Sequence, residues 1–173
     1  MKRSAIKPMP EYFDRYINLL EDDELDIAFE KSMQEVGSLD IDLLNKIGNR
    51  GYAQGKWSVK EIFQHIIDVE RIFCYRALLM ARNDSTRTAG FEQDLLVQTS
   101  EANKRAYAEI IDEFKTVRAS TVSLFKSFSN EMLQRKGINW KYEISVLAMG
   151  FLIIGHQAHH FNIIRKNYYP LAL

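Results

Sequence analysis

Four histidines, His65, His156, His159 and His160, are the residues whose spacing points most directly to chemistry. At about 100° per residue of α-helix, His156 and His160 point within about 40° of each other. Their face is otherwise apolar, so the pair interrupts an apolar stripe near its middle. His65 lies on the core side of an earlier helix, with three apolar neighbours within about 60° of it. Three inward imidazoles from two helices can converge on one metal ion.

Three histidine ligands would suit a catalytic metal centre. Neutral imidazole binds zinc, nickel, copper or iron(II), and three protein ligands leave positions for water or substrate. The alternative is a set of hydrogen-bonded core histidines, because an H-x-x-x-H spacing on a helix is weak evidence by itself. His159 is rotated by about 60° from His156, which predicts a neighbour of the ligand set and not a ligand.

Further candidates lie on the helix that carries His65. Arg76 returns to the His65 face three turns later, where it would bind an anionic substrate or an acidic neighbour. Glu70 lies about 140° round the helix, which predicts an ion pair with a base. Cys74 lies about 180° away, which favours packing as a small apolar residue over a role as ligand or nucleophile.

The elements that must position these residues are predicted to be helices. Apolar residues recur with helical spacing near residues 23–36, 58–82, 101–128 and 143–166, and a shorter helical piece, residues 11–20, precedes them. Period-two alternation occurs only in short, weak stretches. Four long amphipathic helices pack most simply as a bundle. We therefore expect an all-α single domain over residues 1–173, a four-helix bundle with a short extra N-terminal helix.

The second long helix has the clearest start signal. Ser58 and Glu61 have the spacing of a capping box, in which the serine accepts from a backbone N–H and the glutamate reaches back to the backbone of the serine. This box fixes where the helix begins and therefore the direction of His65.

Composition excludes several classes of protein. Twenty-three basic and 23 acidic residues give zero formal charge, so no overall field recruits nucleic acid. The single cysteine forms no internal disulfide, which fits the reducing cytoplasm. The longest apolar run, Val146 to Gly155, is too short to span a bilayer, and no signal peptide is evident at the start. We expect a soluble cytoplasmic protein that binds neither membrane nor nucleic acid.

Several motifs together resemble those of the DinB superfamily. The stretch YAQGKWSVKEIFQH, from Tyr52 to His65, resembles the signature that opens the second helix of that family. The loop GFEQD, residues 90–94, is similar to one found in a branch of the family, and IGHQAHH, residues 154–160, resembles its closing motif. The likeness runs in the same order from about residue 20 and is extended by Asp68, Glu70, Arg71, Tyr75, Arg76 and Ala77.

The resemblance implies a four-helix bundle of the DinB/YfiT type with one divalent metal ion. The metal triad of the family maps onto His65, His156 and His160, and zinc or nickel is the expected metal. Similar members include bacillithiol transferases and mycothiol-dependent isomerases, and homodimers are common among them. The resemblance supplies no substrate for this chain.

The leading hypothesis is a metal-dependent thiol S-transferase or hydrolase acting on a small molecule, such as a low-molecular-weight thiol and its electrophile. Asp94 would carry a proton if its loop closes over the site, and Arg76 and Phe91 would contact the substrate. A competing hypothesis is a stress-associated bundle that holds a metal or ligand without turnover. A third is a structural bundle whose histidines are only core residues.

Overall fold

The computed structural model describes residues 1–84, 86 and 88–172 of the chain. Its elements, in chain order, are α1 (Asp14–Ile17), α2 (Leu25–Gly37), α3 (Ile41–Ile47), α4 (Val59–Ala81), α5 (Gln93–Thr99), α6 (Tyr107–Lys126), α7 (Asn130–Gln134), β1 (Lys136–Asn139), β2 (Tyr142–Ser145) and α8 (Val146–Ile163). Short 3₁₀ turns occupy Arg3–Ala5, Ala102–Lys104 and Tyr169–Ala172, and a π-helical turn, Ile164–Tyr168, continues α8.

The four long helices form the expected bundle. Helix α4 packs against α6 and α8, and α2 packs against the same two helices, so the four make a closed ring. The short helix α1 packs on α8, and α5 packs on α4. The prediction of a four-helix bundle with a short extra N-terminal helix is confirmed.

The core consists of two clusters of buried apolar side chains. One cluster joins the N-terminal half of α8 to α2 and to the C-terminal half of α4. The other joins the start of α4 to α3, α6 and the end of α8. Helix α8 is buried on nearly all sides in its first three turns, as its apolar sequence predicts.

Two helix boundaries differ from those expected. Residues 101–106 are not part of α6: Glu101 has a left-handed φ of 55°, and a 3₁₀ turn follows it. Helix α6 begins after Ala106, whose N–H donates to the Glu109 carboxylate at 2.9 Å. Residues 143–145 belong to strand β2 and not to α8. Helix α8 starts after Ser145, whose hydroxyl accepts from Ala148 N–H at 3.1 Å.

The strands β1 and β2 form an antiparallel hairpin in which Asn139 pairs with Tyr142. A two-residue turn, Trp140 and Lys141, joins them. Trp140 has a φ of 59°, at the first turn position of a hairpin, where a positive φ favours glycine. The hairpin is the one sheet in the described residues, so the expectation of no substantial sheet is confirmed.

A glycine lets α1 approach α8 closely. A Cβ atom added to Gly155 would lie 2.3 Å from the carbonyl oxygen of Tyr16. Only a residue without a side chain permits this contact. The contact sets the ring of Tyr16 beside His156, the residue that follows the glycine.

Candidate metal centre

Helices α4 and α8 carry the three histidines to one point. The predicted capping box is present at the start of α4: Ser58 Oγ accepts from Glu61 N–H at 3.2 Å, and Glu61 Oε2 accepts from Ser58 N–H at 2.7 Å. His65 follows two turns later on the buried face. His156 and His160 lie one turn apart on α8, which packs against α4.

The Nε2 atoms of the three histidines face one another. His156 Nε2 lies 3.2 Å from His65 Nε2 and 3.1 Å from His160 Nε2. Among the described residues, these three form the one group whose potential ligand atoms all lie within 4.8 Å of each other. The structure therefore brings together the three residues that the sequence marks as ligands, and leaves His159 out.

The donor set fits a divalent metal ion. Two nitrogen ligands of a tetrahedral zinc ion lie about 3.3–3.4 Å apart, close to the separations seen here. A neutral ring nitrogen carries one N–H or one lone pair, so hydrogen bonding explains two close partners of His156 poorly. Three lone pairs directed at one cation explain them well, and three ligands leave positions open for a substrate.

Burial keeps the three imidazoles neutral. It lowers the pKa of His65 to about 4 and that of His160 to about 3, and it holds the pKa of His156 well below its ordinary value. The neighbouring histidines lower the last two further. Because the neutral imidazole is the form that binds metal, protons do not compete for these nitrogens near pH 7.

Aromatic rings hold the ligands in place. The Trp57 ring lies 4.9 Å from that of His65, and the Tyr16 ring lies 5.7 Å from that of His156. The Tyr168 hydroxyl donates to the carbonyl of Trp57. The sequence indicated Trp57 only as part of the start of α4. It gave no sign of Tyr16, which lies on a helix of four residues.

A cavity of about 270 Å³ opens at His160. Asp94 lines this cavity together with His160, and it lies in the first turn of α5, which packs on α4. The predicted proton carrier and a predicted ligand thus share one space. Trp57 and Tyr168 form part of the wall.

The structure places Arg76 and Phe91 at a different cavity, of about 370 Å³. The Arg76 guanidinium carbon lies 5.6 Å from the centre of the Phe91 ring. Arg76 also donates to Oδ1 of Asn139, a fully buried residue that sequence reasoning missed. Asn139 ends a strand of four residues, too short for its period to be recognised.

Comparison with known families agrees with the histidine geometry. The sequence profile of the DinB superfamily matches residues 6–164. The chain belongs to the DinB superfamily. All three members of the histidine triad lie within the matched residues.

A solved structure shows the same fold as this DinB-superfamily chain. YfiT from Bacillus subtilis, a probable metal-dependent hydrolase with an unusual four-helix bundle topology, superposes with a TM-score of 0.64. The two are 15% identical, and the match covers 90% of this chain and 87% of YfiT. No curated protein matches this chain by sequence. In the described part of the chain, no helix is both long and apolar enough to cross a membrane.

Proposed function

We propose that this protein is a divalent-metal-dependent enzyme that acts on a small molecule. The observation that carries the proposal is the meeting of three neutral imidazole Nε2 atoms, from two buried histidines and the half-buried His160, beside a cavity. Membership of a superfamily that includes metal-dependent enzymes supports it, as does the likeness in fold to YfiT. His65, His156 and His160 would hold the ion.

A bound divalent cation supplies Lewis acidity, which acidifies a coordinated nucleophile and polarises an electrophile. The residues of the chain supply the rest. The three imidazoles stay neutral because of burial, and the Trp57 ring packs against one side of His65. The Asp94 carboxylate, at the mouth of the cavity, accepts a proton from the attacking group and returns it to the leaving group.

The nucleophile in this scheme comes from solution. The only cysteine, Cys74, lies beside Thr121, with 3.1 Å between sulfur and hydroxyl oxygen, and burial raises its pKa to about 11. A thiol with such a pKa is a poor nucleophile at neutral pH. Water would give hydrolysis of a small ester or amide, and a low-molecular-weight thiol would give S-transfer to an electrophile. We propose zinc or nickel as the metal, because both accept three neutral imidazoles.

The test compares four proteins on one substrate panel: metal-loaded wild type, chelator-treated wild type, His160→Ala and His159→Ala. The panel pairs small aryl esters and anilides with a thiol plus an electrophilic arene. We expect turnover by the loaded wild type and by His159→Ala only, and the productive half of the panel identifies the nucleophile. Equal background rates in all four proteins, although the loaded wild type still holds its metal, would favour the competing hypothesis of a metal-holding bundle without turnover.

We also propose a cytoplasmic homodimer. The single cysteine supports a reducing compartment, and the resemblance to dimeric family members supports the assembly. Light scattering of the metal-loaded protein at several concentrations tests the dimer. A monomer mass throughout would contradict it.

A further inference from the structure

Arg76 is a buried cation with no acidic partner in the described chain. It is only 4% exposed, and its partners are both neutral: Asn139 Oδ1 at 2.5 Å and the carbonyl oxygen of Ala89 at 2.9 Å. Among the described residues, no carboxylate lies within 4.0 Å of its nitrogens. Arg118, which is also buried, pairs with Glu70 at 2.8 Å.

A buried charge is costly unless an opposite charge compensates it. Arginine stays protonated in proteins, so Arg76 cannot escape this cost by losing a proton. Two buried donors of the same cluster, Arg76 Nε and Asn139 Nδ2, also have no hydrogen-bond partner within the part of the chain that the structure describes. An anion that accepts hydrogen bonds from these donors would compensate the charge of Arg76 and would also give the two donors a partner.

Half of the residues that line the cavity of about 370 Å³ beside this pair are aromatic. Arg76 is the only cationic side chain among the described residues that line it. Its aromatic lining residues are Tyr12, Phe13, Phe73, Phe91 and Trp140. A site with one guanidinium, the amides of Asn139 and Gln93, and several aromatic rings matches a planar group of a single negative charge attached to an apolar body.

Two of the aromatic residues that line the cavity have an unfavourable backbone conformation. Tyr12 has a φ of 68° and Trp140 a φ of 59°, which is unfavourable for bulky residues. Their rings lie 5.3 Å apart. Trp140 follows Asn139 directly, so the strained turn carries both the polar donor and part of the aromatic wall.

The cavity adjoins the histidine triad. Phe73 lines it, and the centre of the Phe73 ring lies 6.3 Å from that of His156. Phe91 lines it too, three residues before Asp94. A ligand anchored at Arg76 therefore lies beside residues that contact the ligand set, on the same face of α4 as His65.

We propose that Arg76 and Asn139 bind the carboxylate of an aryl or apolar organic acid, and that this class is the substrate of the enzyme. The assignment of substrate rests on the proposed function; the binding site itself does not. A carboxylate fits better than a phosphate, because phosphate carries close to two charges against one guanidinium. Glu92 also lines the cavity, but it is exposed and does not pair with Arg76.

The test measures binding without turnover. Calorimetry of metal-loaded and chelated protein uses three probes: phenylacetate, its neutral isostere phenylacetamide, and phenyl phosphate. We expect phenylacetate to bind at least tenfold more tightly than either of the others, in both forms of the protein. Equal affinity for acid and amide would overturn the proposal, and tighter binding of phenyl phosphate would overturn the carboxylate assignment.

Variants locate the site. Arg76→Gln should weaken phenylacetate binding at least tenfold, whereas Arg71→Gln, an exposed arginine of the same helix, should leave it unchanged. Asn139→Asp is the second variant, in case Arg76→Gln does not fold. It supplies Arg76 with a carboxylate from within the chain. This variant should fold, melt no lower than wild type and lose phenylacetate binding. Full binding by a folded Asn139→Asp protein would refute the site.

The two proposals fail separately. We expect His156→Ala to lose its metal and still bind phenylacetate, which would show that the metal site and the carboxylate site are independent. If the protein binds phenylacetate as expected but no metal-dependent turnover is found, the proposed function fails and the carboxylate site stands. If turnover is found but Arg76→Gln changes neither binding nor KM, the carboxylate site fails and the proposed function stands.

Discussion

Arg118 donates two hydrogen bonds to Glu70 in the interior of the bundle, from Nε to Oε1 at 2.8 Å and from a terminal nitrogen to Oε2 at 2.9 Å. Both side chains are almost completely buried. The same arginine donates to the hydroxyl of Ser32, and Thr121 donates to Glu70 at 2.7 Å. The pair thereby links α2, α4 and α6 through polar contacts that water cannot reach.

Removal of one member of this pair should be severely destabilising. Arg118→Met leaves the Glu70 carboxylate buried without its partner, so we expect a loss of about 3–5 kcal/mol in the free energy of unfolding. The double variant Glu70→Leu, Arg118→Met removes both charges and should recover most of that loss. Urea denaturation measures both. A single variant as stable as wild type would show that Glu70 tolerates burial without its partner.

Metal content should depend on the triad and not on its neighbour. His156→Ala removes the nitrogen that lies closest to both other ligands, so the metal bound per chain should fall sharply after purification without chelators. His159→Ala is the matched control, because His159 lies outside the ligand group although it is adjacent to His160. Elemental analysis of both variants decides. Unchanged metal content in His156→Ala would mean that the ligand set is wrong.

Ser58→Ala should destabilise the protein by about 0.5–2 kcal/mol, because the variant loses the oxygen that caps the start of α4. The same hydroxyl donates to Asn103 at 2.7 Å. Ser123→Ala, at an exposed position inside α6, should be neutral or slightly stabilising, since alanine has the better helix propensity. Thermal melts of the two variants measure the difference. Equal melting temperatures would show that the cap is dispensable.

Gly155→Ala should push α1 away from α8, because its Cβ would meet the Tyr16 carbonyl oxygen at 2.3 Å. We expect a loss of about 1–3 kcal/mol and a weaker hold on the metal. Gly37→Ala is the control, because nothing lies within 4 Å of its added Cβ. Denaturation and metal titration of both variants check this. Wild-type values for Gly155→Ala would mean that α1 yields without cost.

Cys74 should react slowly with iodoacetamide in the folded protein. Burial raises its pKa from 9.0 to about 11, so at pH 8 the thiolate fraction is lower than in the unfolded chain. A shift of two pH units means alkylation about a hundredfold slower. The folded-state rate should rise with pH until about pH 11. Mass spectrometry follows the reaction, and equal rates with and without urea would contradict the raised pKa.

The positions of the histidines followed from sequence because the helical repeat is regular and α4 has a clear cap. Once Ser58 marks the first turn, the direction of His65 follows from the rotation per residue. The same reasoning predicted that Glu70 pairs with a base, which is confirmed by Arg118. This reasoning did not identify Arg118 as the partner. Arg118 lies on the apolar stripe of α6, and a charged residue on such a stripe indicates a buried partner of opposite charge.

The hairpin and α5 were harder to predict. The strands β1 and β2 have four residues each, too few for a period-two pattern to be distinguished from chance. Helix α5 has only seven residues, which is too short for a helix to be stable by itself, so it depends on its contact with α4. Asn139 and Asp94 lie in these two regions. Their surroundings therefore depend on tertiary contacts that no local pattern records.

The two ligand helices are far apart along the chain: 91 residues separate His65 from His156. A metal ion that binds both helices links two distant parts of the chain. The segment between the two ligands includes α5, α6 and the hairpin. Closing so long a loop removes many conformations from an unfolded chain that keeps its ion, as a disulfide does. Chelation should therefore act on this protein as reduction acts on a cross-linked one: the chain stays folded, but the free energy of unfolding of the whole bundle falls.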